Sequence, residues 1–383
     1  MLSVAQDKFT NRAKQDEAQY TASMRGLGSK VHNDFLYQFY YNAVLMSFGC
    51  GVKPVGLEMA AGQTKITAWT DGGYPDVLAA VHPATPRPAQ PPPAPLASGR
   101  LTLHPTLHLQ VAHVARGAMQ TAWFHKWNVQ MRIRPEVLAQ RFVLCSRDAT
   151  LCAAMGLTER FNSIPDDVKG LISEHNRQLL SESDLAFDGS MDINLYLALQ
   201  YPEGSPTHPS WPGGHAVVAG ACVTVIKAML ATVDPDTLQR KPWPHDKCPA
   251  QMADADGSDL ITDSSAERDG VTIVGELHKL ASNVALGRNM AGVHFRTDTD
   301  GPAPTHPARH TVRLRTLARQ PAHVPLAYPH PAAEGILLGE AYALTYLQQI
   351  LETVALKALH NSFLLSKFDG SLVRITALGV KRA

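Results

Sequence analysis

The chain has 383 residues, and its 45% share of hydrophobic residues is enough for a sizeable core in one large domain or two ordinary ones. The 35 Lys and Arg residues nearly balance the 34 Asp and Glu residues, which leaves a formal net charge of +1. No strong positive field therefore exists to attract a phosphate backbone, so the composition argues against a general nucleic-acid binder and requires any anion site to be local.

The N-terminal part of the chain is predicted to be helical with breaks. The stretch 33–48 is rich in aromatic residues and predicts a packed helix that ends at the glycines around position 50. The N-terminus has no apolar core of the signal-peptide type. Residues 82–111 contain a dense run of prolines, which predicts an exposed irregular insertion because proline interrupts helices and central strands.

The rest of the chain is predicted to be mainly helical as well. The apolar run 216–232 predicts a buried core helix rather than a membrane span, because it contains Lys227. The other predicted segments are a helix-like region at 112–143, short amphipathic segments at 144–200, a polar loop at 233–270, helices at 271–295 and 334–366, and a hairpin or strand at 367–375.

The fold class predicted from these segments is mainly α, a helical bundle in a single domain over residues 1–383. A second irregular insertion, rich in Pro, His and Arg, is predicted at 299–333. Removing either insertion joins two helix-like stretches, and both have the composition of translated GC-rich intron. We hypothesise that they are artefacts of gene prediction, which the presence of both segments in the mature transcript would contradict.

The chain has five cysteines, at positions 50, 145, 152, 222 and 248. Their number is odd and no CxxC pattern occurs, so the sequence predicts neither a disulfide framework nor a zinc site. Cys222 lies within the apolar run and is predicted to pack there as a small hydrophobic residue.

The most informative segment is the loop 201–215, which reads YPEGSPTHPSWPGGH and directly precedes the buried helix. Free backbone N–H groups and the positive end of the helix dipole meet at such a point and favour a bound anion. The two imidazoles, His208 and His215, suggest acid–base chemistry on that anion or on its ligand.

Two further segments carry cations. Residues 123–136 read WFHKWNVQMRIRPE, and Lys126 and Arg134 would lie on nearly the same side of one helix. Residues 276–294 read ELHKLASNVALGRNMAGVH. Taken alone, each segment is better explained as an ordinary amphipathic helix, with a solvated basic face in the first and a capping histidine in the second.

These three segments together resemble the vanadium-dependent haloperoxidases, in particular the bromoperoxidases. That family shares an oxyanion pocket with the type-2 phosphatidic-acid-phosphatase superfamily. Its loop reads approximately Pro-Glu-Gly-Ser-Pro-Thr-His-Pro-Ser/Ala-Tyr-x-Ser-Gly-His, and this chain departs from it chiefly at Gly213, where the family has serine. The resemblance covers about residues 32–375 apart from the two insertions.

The resemblance implies a vanadate cofactor held by residues from all three segments. Lys126, Arg134 and Arg288 would bind the oxyanion, and His294 would bond vanadium through a ring nitrogen. Lys126 would also polarise the peroxide.

The loop residues would complete the site. Gly214 would donate its backbone N–H, and Gly213 would offer its own N–H or admit a water in place of the missing serine hydroxyl. His215 would be the acid–base residue, and His208 would tune proton transfer or halide handling. Glu340 is expected to anchor helix packing instead.

The activity implied by the resemblance is oxidation of bromide or iodide by hydrogen peroxide to hypohalous acid, which halogenates small organic acceptors. The resemblance also implies a homo-oligomer, and the sequence indicates neither a nucleic-acid partner nor a membrane span. Three alternatives remain open: an acid phosphatase using the same pocket, a homologue with non-oxidative chemistry, and an inactive homologue. The last two follow from the replacement of serine by Gly213.

Overall fold

The computed structural model describes residues 20–32, 34, 36–52, 99–181, 193–262, 270–299, 335–354 and 362–383. Its α-helices are α1 (Met24–Lys30), α2 (Gln38–Gly49), α3 (Gly99–His125), α4 (Pro135–Arg147), α5 (Ala149–Ala154), α6 (Thr158–Asn162), α7 (Asp166–Ser181), α8 (Gly214–Met229), α9 (Ile273–Met290) and α10 (Gly335–Val354). Within the described ranges, no helix is long and apolar enough to cross a membrane. The predicted mainly helical fold is confirmed.

Helix α8 is the centre of the bundle and packs against α3, α9 and α10. Its residues from Ala216 to Met229 are all buried, because the run is apolar on every side and so can be covered on every side. Burial of each of its larger aliphatic side chains stabilises the fold by roughly 1.5–3 kcal/mol. The buried helix predicted at 216–232 is therefore confirmed, with its start two residues earlier and its end at Met229.

Helices α8 and α10 touch through their backbones. A Cβ atom on Gly220 would overlap the carbonyl oxygen of Ile336, and one on Gly339 would overlap the carbonyl oxygen of Val217. Glycine is required at both positions because any side chain would separate the two helices. This close contact fixes the start of α10 beside the loop that precedes α8.

The C-terminal part forms an antiparallel sheet of β3 (Ser362–Ser366), β4 (Leu372–Thr376) and β5 (Gly379–Arg382), in that order. Its β3–β4 turn is held to α10, because the buried carboxylate of Glu340 accepts a 2.8 Å hydrogen bond from the backbone N–H of Phe368. The predicted terminal hairpin and the packing role of Glu340 are both confirmed. A smaller hairpin, β1 (Gln251–Ala253) and β2 (Leu260–Thr262), lies within the predicted polar loop.

The predicted insertion at 82–111 is wrong in its second half. Residues 99–111 belong to α3, Pro105 lies inside that helix, and Leu107 and Val111 are buried in the main core. The dense proline run ends before residue 99, and beyond it Leu107, Val111 and Val114 recur at helical spacing and pack on α8. Residues 82–98 and 300–333 lie outside the described residues, while Thr299 is buried and bonds Asn289.

The prediction of no disulfide framework is also wrong. Cys50, at the end of α2, is bonded to Cys248 in the polar loop, and Cys145 of α4 is bonded to Cys152 of α5. The fifth cysteine, Cys222, is not in a disulfide and is buried within α8 as predicted.

Candidate active site

Lys126 and Arg134 reach the site from different elements. Helix α3 ends at His125, a π-helical turn spans Lys126–Gln130, and Met131 has a left-handed backbone with φ of 45°. The chain is then extended up to Arg134, which caps α4. The prediction that the two cations share one helix side is therefore wrong, because the turn at Met131 ends the helical register between them.

Both cations nevertheless bind the loop 201–215. The buried ammonium of Lys126 donates to the carbonyl oxygens of Pro209 at 2.5 Å and Ser210 at 3.0 Å. Nε of Arg134 donates to the carbonyl oxygen of His208 at 2.9 Å. The first predicted cation segment thus packs directly onto the proline-rich loop.

Arg134 also connects this loop to the end of α9. One terminal nitrogen lies 3.0 Å from Nδ1 of His208, and the other donates to the carbonyl oxygen of Val293 at 2.8 Å. The second also lies 3.2 Å from Nε2 of His294. The planar guanidinium therefore fixes His208 and His294 relative to each other, since its donors point in set directions.

His294 follows Gly292, whose φ of 82° turns the chain away from α9. Nδ1 of His294 lies 3.1 Å from the carboxylate of Asp298, and burial lowers the pKa of His294 to about 3. Because a carboxylate only accepts hydrogen bonds, the network assigns the proton of the neutral ring to Nδ1. The lone pair on Nε2 then faces the guanidinium of Arg134.

Asp298 is a site residue that the sequence reasoning missed. Its buried carboxylate accepts from Arg132 at 2.8 Å, from the backbone N–H of Phe295 at 2.9 Å and from the hydroxyl of Ser210. Burial raises its pKa, but the hydrogen bond from His294 and these other donors hold it below the usual value. Its position four residues after His294 is a signal that the sequence does contain.

Gly213 does not donate to a ligand in this arrangement. Its N–H is bonded to the backbone carbonyl oxygen of Asp298 at 2.8 Å, contrary to the expectation that it would offer that N–H to an oxyanion. Gly214 is the first residue of α8, and the N-cap residue, Gly213, has no side chain that could cap the helix. The first-turn N–H groups of α8 therefore remain as donors, with the positive end of the helix dipole behind them.

His215 pairs with a second carboxylate that the sequence reasoning missed. Its Nε2 lies 2.8 Å from the carboxylate of Asp34, which comes from the segment after α1 and is largely buried. Among the described residues, the His215 side chain makes no hydrogen bond to Lys126, Arg134 or His294. A carboxylate at this nitrogen fixes the orientation of the ring and leaves Nδ1 to exchange a proton.

Arg288 lies in the last turn of α9 and is buried. One of its terminal nitrogens donates to the carbonyl oxygen of Val31 at 3.1 Å and to the hydroxyl of Tyr201 at 3.3 Å. Its Nε is buried and has no hydrogen-bond partner among the described residues. A buried donor of this kind costs free energy unless a ligand or water accepts from it.

The charges of the three buried cations act on one another. Burial and the nearby Arg134 lower the pKa of Lys126 to about 7, and burial and the nearby Arg288 lower the pKa of Arg134 to about 10. Burial and the charge of Lys126 lower the pKa of His208 to about 4. In the part of the chain that the structure describes, none of the three cations donates to a carboxylate. The residues present therefore fit a tetrahedral oxyanion such as vanadate or phosphate.

The similarities to known proteins agree with this chemistry. The vanadium-dependent bromoperoxidase of Corallina pilulifera is 28% identical over 271 residues, which are 69% of this chain and 36% of the relative. That of Corallina officinalis is 29% identical over 273 residues, with the same shares, and that of Ascophyllum nodosum is 30% identical over 192 residues, 50% of this chain and 30% of the relative. No protein-family profile matches the chain.

A solved structure supports the fold. The homohexameric structure of the second vanadate-dependent bromoperoxidase from Ascophyllum nodosum matches with a TM-score of 0.53 and 21% identity, over 92% of this chain and 48% of that chain. The chain spans only 36% of the length of the two Corallina relatives. The chain is therefore similar in sequence to vanadium-dependent bromoperoxidases and shares the helical fold of one of them.

Proposed function

We propose that the chain binds vanadate and oxidises bromide or iodide with hydrogen peroxide to hypohalous acid, which halogenates small organic acceptors. The observation that carries this proposal is the group of three buried cations without carboxylate partners among the described residues, beside the unprotonated Nε2 of His294. The names of the relatives, all vanadium-dependent bromoperoxidases, support vanadate as the oxyanion and bromide as the first halide to test.

In this proposal Lys126, Arg134 and Arg288 hold the vanadate oxygens, together with the backbone N–H of Gly214. His294 would bind the metal through Nε2, which carries no proton because Asp298 holds the ring proton at Nδ1. Bound vanadate would act as a Lewis acid that activates peroxide towards the halide without changing oxidation state.

The two loop histidines would transfer protons or keep other side chains in place. Since Asp34 binds Nε2 of His215, the nitrogen that accepts and returns a proton is Nδ1. Nδ1 of His208 accepts from Arg134, so its proton lies on Nε2 and the ring keeps the guanidinium in place. The low pKa of His208 keeps this arrangement neutral at physiological pH.

The proposal is tested by bromination of monochlorodimedone with bromide and peroxide, with and without orthovanadate. We expect activity that depends on vanadate and is lost in His294→Gln. The matched control is His175→Gln, which makes the same change at an exposed position on α7. A folded protein that binds vanadate yet brominates equally well without it would contradict the proposal.

A phosphatase is the second candidate, and one observation favours it. A histidine with its proton held at Nδ1 by a carboxylate and an unprotonated Nε2, as in His294, is also arranged as a nucleophile for phosphoryl transfer. Vanadate-sensitive release of phosphate from p-nitrophenyl phosphate, without bromination, would support this candidate. A folded protein that fails both assays would favour the non-oxidative or inactive homologue.

We also propose that the chain forms a homo-oligomer. The support is the homohexameric state of the structural neighbour from Ascophyllum nodosum. Light scattering coupled to gel filtration measures the mass directly, and a monomer at micromolar concentration would contradict the proposal.

A further inference from the structure

We infer that Tyr201 is a positioning residue that holds the guanidinium of Arg288 towards the bound oxyanion. This inference rests on the proposed oxyanion site. The phenol of Tyr201 is buried next to Arg288, whose guanidinium carbon lies 5.0 Å from the ring centre. Tyr201 is the first residue of the loop 201–215.

The hydrogen bonds around the Tyr201 hydroxyl have one possible direction. The hydroxyl donates to the carbonyl oxygen of Gly28 at 2.8 Å, since a carbonyl oxygen only accepts. Its lone pairs therefore accept from Arg288 at 3.3 Å. Burial raises the pKa of Tyr201, so its proton stays in place for the bond to Gly28.

This arrangement selects which edge of the guanidinium faces the site. One terminal nitrogen of Arg288 is committed to Tyr201 and to the carbonyl oxygen of Val31. Its Nε is buried without a hydrogen-bond partner among the described residues. A long, flexible side chain is thus restricted to the orientation that leaves a donor for the oxyanion, which reduces the entropy lost on binding.

The residue before Tyr201, Gln200, is hydrogen-bonded to two different helices. Its side-chain amide donates to the carbonyl oxygen of Arg25 at 2.9 Å and to the hydroxyl of Ser29 at 2.7 Å. The backbone N–H of Gln200 donates to the carbonyl oxygen of Ala291 at 3.1 Å. Residues 200–201 therefore connect α1 to the end of α9, where Arg288 lies.

An aromatic contact restrains the ring as well. The imidazole of His32 is stacked on the Tyr201 ring, with centres 3.8 Å apart and planes within 6°. His32 is in turn bonded to Glu203, two residues after Tyr201. Stacking therefore restrains the ring of Tyr201, and two hydrogen bonds restrain its hydroxyl. A residue that positions another group is expected to be held in this way.

Tyr201→Phe tests the inference because it removes the hydroxyl and keeps the ring. We expect the dissociation constant for orthovanadate, measured by equilibrium dialysis with vanadium quantified by atomic emission, to rise about tenfold. The bromination rate at saturating vanadate should stay close to that of the wild type. Tyr196→Phe makes the same change in the preceding segment, where the backbone of Tyr196 bonds Asn176 and Asn194 away from the site, and should bind vanadate normally.

A double-mutant cycle with Arg288→Gln separates positioning from a structural role. If Tyr201 acts through Arg288, Tyr201→Phe should add little to the loss already caused by Arg288→Gln. A full tenfold loss in both backgrounds, or none in the wild-type background, would overturn the inference. A wild-type chain that binds orthovanadate but does not brominate would overturn the proposed activity alone, whereas a chain that binds no vanadate would overturn both.

Discussion

Substitution of Gly213 tests how much vanadate affinity the proposed site loses because it lacks the serine hydroxyl. A serine hydroxyl here would add one hydrogen bond to a charged ligand, worth about 1.5–3 kcal/mol, which corresponds to roughly 10- to 150-fold in affinity. Because the N–H of Gly213 is bonded to Asp298, glycine does not replace that donor through its own backbone. We therefore expect Gly213→Ser to bind orthovanadate more tightly than a variant with the same Cβ and no hydroxyl.

The structure also predicts a cost in stability. A Cβ at Gly213 would lie 3.0 Å from the carbonyl oxygen of Asp298 and 3.0 Å from Cγ2 of Thr299, closer than ordinary contacts. The backbone at Gly213, with φ of −63° and ψ of 114°, is open to any residue, so the cost comes from crowding and not from backbone strain. Crowding of this kind typically costs about 1–3 kcal/mol, of which a serine cap on α8 would restore a few tenths.

Gly213→Ala is the matched control, since it introduces the same Cβ without the hydroxyl. Equilibrium dialysis gives the vanadate affinity of each variant, and urea denaturation without vanadate gives the free energy of unfolding. We expect both variants to unfold more easily than the wild type, and the serine variant to bind vanadate at least about tenfold more tightly than the alanine variant. Equal vanadate affinities in the two variants would refute the reasoning.

Three further predictions concern residues around the site and in the core. Asp34→Asn removes the carboxylate that orients His215, so the bromination rate should fall about a hundredfold while vanadate affinity by dialysis changes little; a normal rate would contradict the pairing. Burial lowers the pKa of Lys227 from 10.5 to about 8, so between these pH values the unfolded chain binds a proton that the folded chain lacks. The free energy of unfolding should therefore rise with pH across this window by up to about 3 kcal/mol relative to Lys227→Met, measured by urea denaturation, and a flat difference would contradict it. Cys50→Ser opens a disulfide between distant segments and should lower the free energy of unfolding by about 2–5 kcal/mol, unless the bond is absent from the purified protein, which thiol titration would reveal.

Local sequence patterns were sufficient to predict the centre of the fold. The apolar run 216–232 predicted α8, because a helix that is apolar on every side is stable only when it is covered on every side. The spacing of apolar residues likewise predicted α9 within 271–295. The prediction of an anion site at the loop 201–215 came from its position before α8, since any helix start leaves unpaired N–H groups.

Contacts between distant segments were beyond the same reasoning. Asp34 lies 181 residues before its partner His215, and the Cys50–Cys248 pair is 198 residues apart, so no local spacing indicates either. The π-helical turn after His125 depends on how the chain packs. The prediction that Lys126 and Arg134 lie on the same side of one helix was wrong for this reason. Asp298 differs from these residues, because its spacing from His294 was visible in the sequence.

The hydrogen bonds of the cations explain how the proposed oxyanion site can exist inside a nearly neutral chain. Lys126, Arg134 and Arg288 donate to backbone carbonyl oxygens, histidine rings and the Tyr201 hydroxyl, all of which accept hydrogen bonds without cancelling charge. The nearby buried carboxylate, Asp298, is itself paired with Arg132. Neutral acceptors therefore position the cations while leaving their charge for the ligand. Burial, and after it repulsion from a neighbouring cation (Arg134 for Lys126, Arg288 for Arg134), lowers the pKa values of Lys126 and Arg134. A bound oxyanion relieves that repulsion, whereas additional carboxylates would have satisfied the cations and removed the driving force for binding.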